Sequence, residues 1–299
     1  MTDHDLNPLI DGGSFFEGPR WRDDRWWVSD FYRHLVLAVS PDGTTETVMT
    51  VDGQPSGLGW LPDGSLLVVS MKDHVVLRRS VDGVVDVHAD LSKLAGGHLN
   101  DMVVSARGHA YVGNFGFDLM AGGQPATTVL VRVAPDGGVT VEADDMWFPN
   151  GSVITPGDRL IVGESLGCRY TAFTIAADGS LTDRRVWAQL APTPELGTFA
   201  EMLPNVKVAP DGCALDAEGQ IWAADALGAR VIRVAEGGAI TDEIAAPPGM
   251  GLFACMLGGP DGRTLLLCAA PDFAEHLRSE TREAVLFTTT VEVPHAGLP

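Results

Sequence analysis

The chain lacks most of the features that would assign it to a class at once. Its 299 residues include four cysteines, Cys168, Cys213, Cys255 and Cys268, far apart and in no CxxC pair. That spacing argues against a thiolate zinc site and a disulfide-dense scaffold, and it fits reduced thiols in the cytoplasm. No uninterrupted apolar run approaches the roughly 20 residues of a membrane-spanning helix. The opening "MTDHDLNPLIDGG" has no basic stretch followed by an apolar one, so no signal peptide is expected. Basic residues are scarce: 20 Lys and Arg stand against 40 Asp and Glu, a formal net charge of −20. A surface this negative repels phosphate backbones and anionic lipid heads, so neither nucleic acid nor membrane is an expected partner. It favours solubility and cations.

What is present is apolar and repetitive. Hydrophobic residues make up 45% of the chain, enough for a packed core and too many for a disordered chain. "GWLPDGSLLVVSMKDHVVLRRSVDG" (59–83) follows the same plan as "CALDAEGQIWAADALGARVIRVAEGG" (213–238). Each has a short strand, a D-G or E-G turn, an apolar strand, a gap, and a further strand closed by another turn. The plan recurs in "GPRWRDDRWWVSDFYRHLVLAVSPDG", in "NDMVVSARGHAYVGNFGF" continued by "TVLVRVAPDG", in "NGSVITPGDRLIVGESLGCRYTAFTIAADG", and in "ACMLGGPDGRTLLLCAAP" continued by "AVLFTTTVEV". Asp-Gly between alternating apolar runs is a hairpin signal. Six copies spaced roughly 40–60 residues apart suit blades of four antiparallel strands. The expected fold is all-β: one six-bladed β-propeller over residues 1–299, with no domain boundary.

Three stretches break this cadence: "FDLMAGGQPATT" (117–128), "QLAPTPELGTFAEMLPNVKV" (189–208) and "DFAEHLRSETRE" around Phe273 and Leu277. Long insertions in a propeller fall in loops on one face or the other, and long loops often act as lids or rims of binding sites. The first is expected to contact substrate. The third has the spacing of a short helix.

The polar residues at the repeat starts share a phase. "FFEGPRW", "HLNDMVV", "WFPNGSV" and "VAPDGCALD" place Glu17, Asn100, Asn150 and Asp211 at equivalent points. The first strand of a propeller blade lines the central channel, so equal phase means convergence at its mouth. Asn and Asp before Gly also form turns, as in "LPDGS" and "SPDGT". Asn150 and Asp211, however, stand at the start of a repeat and not between its strands. Two carboxylates and two amide oxygens aimed at one centre form a nest for a hard divalent cation: Ca²⁺, Mg²⁺ or Mn²⁺, or Zn²⁺. A cation would also explain a carboxylate, Glu17, set among Phe15, Phe16 and Pro19.

In order and spacing, "FFEGPRW", "LND", "PNG" and "PDGCALDAEGQIWAAD" resemble the gluconolactonase / regucalcin (senescence marker protein) family of six-bladed, metal-dependent lactonases. The resemblance covers nearly the whole chain. It implies a metal held by Glu17, Asn150 and Asp211, with Asn100 contributing to the site or to the substrate through water. It also implies hydrolysis of a lactone with Ca²⁺ or Zn²⁺, among other ions. Many sugar lactonases of the family carry an Arg two residues before the "ND" Asn; here that residue is His98. With Trp147, Phe148, Phe115, Phe117 and Met120 nearby in sequence, this points away from polyhydroxylated sugar lactones and towards less polar ones.

The chemistry follows from such a cation, which polarises a carbonyl and acidifies bound water. Asp211 is the expected base, with His98 second because its unperturbed pKa near 6.5 suits proton transfer. Asp101, Asn114, Glu164 and Trp147 are further expected substrate contacts at inner-strand ends. Two other readings use the same fold: a non-catalytic cation-binding scaffold, and other propeller chemistry such as phosphotriester hydrolysis or metal-free condensation of the strictosidine-synthase-like kind. Metal content and chelator-sensitive lactone hydrolysis separate them. The sequence leaves the oligomeric state open.

Overall fold

The Asp-Gly pairs that punctuate the repeats fold as tight turns: Gly43 and Gly64 sit at φ +86° and +85°, in hairpins that only glycine closes without strain. Between the turns, the computed structural model, which describes residues 4–297, forms six four-stranded antiparallel sheets. The six inner strands are Phe16–Arg22, Pro55–Trp60, Leu99–Val104, Pro149–Thr155, Pro210–Leu215 and Gly251–Gly258. Each packs against the inner strands of the blades on either side, so the sheets surround a common axis. The fold is the expected six-bladed propeller.

Burial follows position within a blade. Every residue of Leu99–Val104 is buried, as inner strands covered on both faces require. The outermost strand Val85–Asp90 buries only Ala89. Five sheets follow chain order. The sixth takes its outer strand from the other end of the chain. Asn7–Gly13 pairs antiparallel with Ala284–Thr290, Asn7 opposite Thr288 and Gly13 opposite Ala284. The repeats predict three strands for this blade and do not identify the fourth.

Among the described residues the two short α-helices lie in the insertions, while 3₁₀ turns also occur in the blades at Phe31–Arg33 and Ser165–Gly167. Residues 117–127 form a loop. The second insertion contains the helix Phe199–Met202, capped by a reciprocal Thr198–Glu201 box, and a 3₁₀ turn at Leu203–Asn205. The third forms the expected short helix, Glu275–Arg278. Among the described residues, no helix is long and apolar enough to cross a membrane.

Candidate metal centre and substrate pocket

Glu17, Asn100, Asn150 and Asp211 each occupy the second position of an inner strand. In all four strands the pairing register slips at this point, between Glu17 and Arg20, Leu99 and Met102, Pro149 and Ser152, and Pro210 and Cys213. An irregularity of this kind bends the strand and re-aims its side chains. All four residues line one pocket. The glycines after Asn150 and Asp211 are therefore not turn residues. A Cβ on Gly151 would stand 2.2 Å from the Asp211 carbonyl oxygen, and one on Gly212 would stand 2.4 Å from the Ala254 Cβ. Adjacent inner strands come so close that only glycine fits between them.

The four side chains are held but not neutralised. Glu17 is buried, and its Oε2 accepts the Gly18 N–H at 2.9 Å. Burial pushes its carboxyl well above the usual range, and the nearby Asp211 pushes it further. Asp211 is the least covered of the four, yet burial still raises its carboxyl to about 8, against the opposing hydrogen bonds of the Asn150 amide and the Gly212 N–H. Asn150 Nδ2 donates to Ser165 Oγ (3.1 Å), which in turn donates to the Pro210 carbonyl (2.6 Å). This anchors the amide from behind. Asn100 Nδ2 is buried without any partner, which is costly unless something outside the chain accepts its hydrogen bond.

This donor set fits a divalent cation. Three carboxylates, Glu17, Asp101 and Asp211, share the neighbourhood with one guanidinium, Arg20, so two positive charges are missing. Among the described residues, no Lys, Arg or His lines the pocket. The available donors are two carboxylates and two amides, the hard oxygen chemistry of Ca²⁺, Mg²⁺ and Mn²⁺. Among the described residues, no three His, Cys, Asp or Glu side chains cluster as a metal site; amides must complete any set formed here.

The other expected contacts lie outside the pocket lining. Asp101 turns to Arg20, its Oδ1 3.0 Å from Nη2, with both side chains almost fully buried. Asn114 Oδ1 accepts from Gly96 N, Gly116 N and Thr128 Oγ1, while its Nδ2 donates to Val129 O. Glu164 receives the Trp147 N–H (2.8 Å), Arg169 (2.8 and 2.9 Å) and Thr171 Oγ1. Both residues end the second strand of a blade and clamp the backbone that leads into an inner strand. Asp30 and Asp225, which the sequence reading did not single out, do the same for Ser14, Phe15 and Ala209. Trp147 contributes its backbone N–H to that clamp and not its ring to the lining. His98 packs behind Phe115, ring centroids 5.8 Å apart. Burial, with Lys72 and His74, lowers its pKa.

Of the expected apolar neighbours, Phe115, Phe148 and Met120 line the pocket, and the rest of the wall is not singled out by the sequence. The first insertion supplies Leu119 and Met120, the second Phe199 and Leu203, and the third Phe273. The length of each insertion is the signal in the sequence, and only the first is expected from it to contact substrate. Phe31, Tyr32 and Phe253 join them from the blades. The cavity measures about 110 Å³, where one water takes about 10–15 Å³. These side chains therefore surround open space.

Comparison with known proteins agrees with this architecture. Residues 15–271 match the SMP-30/gluconolactonase/LRE-like family. A 6-deoxy-6-sulfogluconolactonase of Pseudomonas putida is 37% identical over 95 residues, covering 30% of this chain and 31% of that protein, so the match spans about a third of the relative. Among solved structures, regucalcin from Agrobacterium tumefaciens, a calcium-binding protein, superposes with a TM-score of 0.79 at 21% identity over 99% of this chain and 97% of its own. A gluconolactonase from Xanthomonas campestris does so with a TM-score of 0.70 at 22% identity over 98% and 90%. These likenesses show the fold. The family match covers most of the chain, which belongs to the SMP-30/gluconolactonase/LRE-like family.

Proposed function

We propose that the protein is a metal-dependent lactonase, in which Glu17, Asn150 and Asp211 hold one divalent cation and Asn100 contacts the substrate or its water. One observation carries the reading: four oxygen-bearing side chains at the same strand position line one pocket and lack two positive charges. An all-oxygen set favours Ca²⁺, Mg²⁺ or Mn²⁺ over Zn²⁺. Regucalcin's description as calcium-binding agrees with the first of these.

When bound, such a cation polarises a carbonyl and lowers the pKa of water. The chain supplies the rest. Asp211 both ligates and takes the proton of the attacking water, since it is the member of the set most open to the pocket. Water oxygen bonds to the carbonyl carbon, the ring C–O bond breaks, and the proton passes from Asp211 to the departing alkoxide, which stays tethered in the hydroxy-acid product. The orphan Asn100 Nδ2 donates to a substrate oxygen. The apolar walls exclude bulk water. His98, behind Phe115, takes no part in proton transfer. A sulfonated substrate like that named for the Pseudomonas putida relative does not carry over, because no basic side chain lines this pocket. All four cysteines are free and buried, which fits the reducing cytoplasm.

The test is calorimetric titration of chelator-treated protein with Ca²⁺, Mg²⁺, Mn²⁺ and Zn²⁺, followed by proton release from a lactone panel with and without chelator. One tight site and chelator-sensitive hydrolysis are expected. Binding without turnover would make the protein a cation-binding scaffold, and no binding would remove the metal.

A further inference from the structure

We infer that the substrate is a neutral lactone bearing an alkyl or aryl substituent, and that this substituent lies in a cleft between the three insertions. The inference rests on the lactonase reading and names its substrate class. The polar residues lining the pocket are Glu17, Asn100, Asn150, Ser165 and Asp211. They are the proposed centre itself and the serine that anchors it. The one further polar group is Tyr32 Oη, already spent on the Phe273 carbonyl at 2.7 Å. Ser165 Oγ is likewise spent on Pro210. Both hydroxyls have given up their donor, and among the described residues no basic side chain lines the walls, so the hydroxyls of a sugar meet mainly apolar surface and an anionic group meets no cation.

What the walls do offer is apolar and directional. Above the centre, Phe115 and Phe148 stack with centroids 4.6 Å apart and planes 18° apart. Beyond them, Leu119, Met120, Phe199 and Phe273 line both the pocket and a second cavity opening at the rim. These four side chains come from all three insertions. The rim then turns polar at Glu275, His276 and Ser279, and Glu275 is tied to Gln54 and Lys72. A carbonyl held at the floor thus directs the substituent of its ring upward between the insertions, along an apolar path that ends in water.

The test uses δ-valerolactone and its 5-propyl, 5-pentyl and 5-heptyl derivatives, with gluconolactone for comparison. Each added methylene should raise kcat/KM about fourfold until the chain reaches the rim. Gluconolactone, with hydroxyls and no alkyl chain, should fall below even unsubstituted δ-valerolactone, and so about 1,000-fold or more below the pentyl lactone. Met120→Asp, at a side chain 37% exposed, should flatten the series. Phe199→Ser, also partly exposed, serves as the second variant should the first lower the melting temperature. A flat series in the unmodified protein, or gluconolactone as the best substrate, would overturn the cleft while leaving the lactonase reading intact. Binding of 2-pentylcyclopentanone against cyclopentanone, read by calorimetry, separates the other failure. Tighter binding of the pentyl ketone with no lactone opened would sustain the cleft and overturn the reaction. Equal binding would overturn the cleft.

Discussion

Two rings of buried acids and amides lie side by side at the same end of this propeller, and they differ in who satisfies them. The inner ring is Glu17, Asn100, Asn150 and Asp211, at the second positions of inner strands. The outer ring is Asp30, Asn114, Glu164 and Asp225, at the last positions of the neighbouring strands. They are cross-strand neighbours: Asp30 stands opposite Phe16, Asn114 opposite Leu99, Glu164 opposite Pro149 and Asp225 opposite Pro210. Each outer residue faces the one immediately before an inner residue. The outer ring is saturated by the chain's own N–H groups and, at Glu164 and Asp225, by Arg169 and Arg230. The inner ring keeps two carboxylates without a cation and one amide without a partner. Burying an acid does not by itself make a site. Leaving it short of partners, on a scaffold whose neighbours are fully paired, does.

The sharpest way to break this comparison is to neutralise one member of the inner ring. Asp211→Asn should lower kcat/KM about 1,000-fold or more, the several kcal/mol that a cation supplies. In metal-free protein it should nonetheless stabilise the fold at high pH. Asp211, with its folded pKa raised to about 8, keeps its proton in the folded state where the unfolded chain has lost it. Its stability contribution is complete below about pH 4 and is lost as pH rises through 8, by at most about 6 kcal/mol and less as water reaches the group. Metal-free melting curves from pH 4 to 9 should therefore slope downward for the parent, flatten in Asp211→Asn, and flatten in the parent when cation is added. A parent curve rising over that range would contradict the inner ring's shortage.

The outer ring should fail the opposite way. Glu164→Ala removes the partner of Arg169 and of the Trp147 N–H, and should cost about 3–5 kcal/mol of stability, read as denaturant midpoint at constant m-value. Activity per folded molecule should fall far less than in Asp211→Asn. A smaller effect is expected where the inner ring is supported from behind. Ser165→Ala releases the Asn150 amide and should weaken metal affinity about 10–100-fold, with kcat at saturating metal largely kept. The smallest belongs to His98. Because it sits behind Phe115, His98→Gln should change kcat less than about tenfold, whereas a general acid or base accounts for about 10²–10⁴.

The two rings also mark how far the sequence could be read. The six repeats were legible because Asp-Gly hairpins between apolar runs are local signals. The inner ring was legible because a common phase along equivalent strands survives in one dimension. Asn114 and Glu164 looked the same on paper, as polar residues ending apolar strands. What sets them apart is a backbone N–H brought from a lead-in segment 17 or 18 residues away, and that contact exists only in the folded chain. The second insertion showed its length but not its contribution, since Phe199 becomes a wall only once its loop folds over the pocket. Asn7–Gly13 was missed as a strand for a related reason. "NPLIDGG" has little strand character of its own, and its partner lies at the far end of the chain.

That last pairing gives the ring a sequence in time. The strand that latches the sixth blade leaves the ribosome long before the strand it grips, Ala284–Thr290. Throughout synthesis the latch is an unpaired edge with nothing to hold. Glu17 follows it directly, on the first inner strand, beside a sixth blade that has not yet been made. The pocket is therefore closed at one moment, when Ala284–Thr290 meets Asn7–Gly13. A nascent chain stalled before Ala284 should carry five blades and no closed mouth. Trimming the first dozen residues from the finished protein should reopen the circle at the seam next to Glu17.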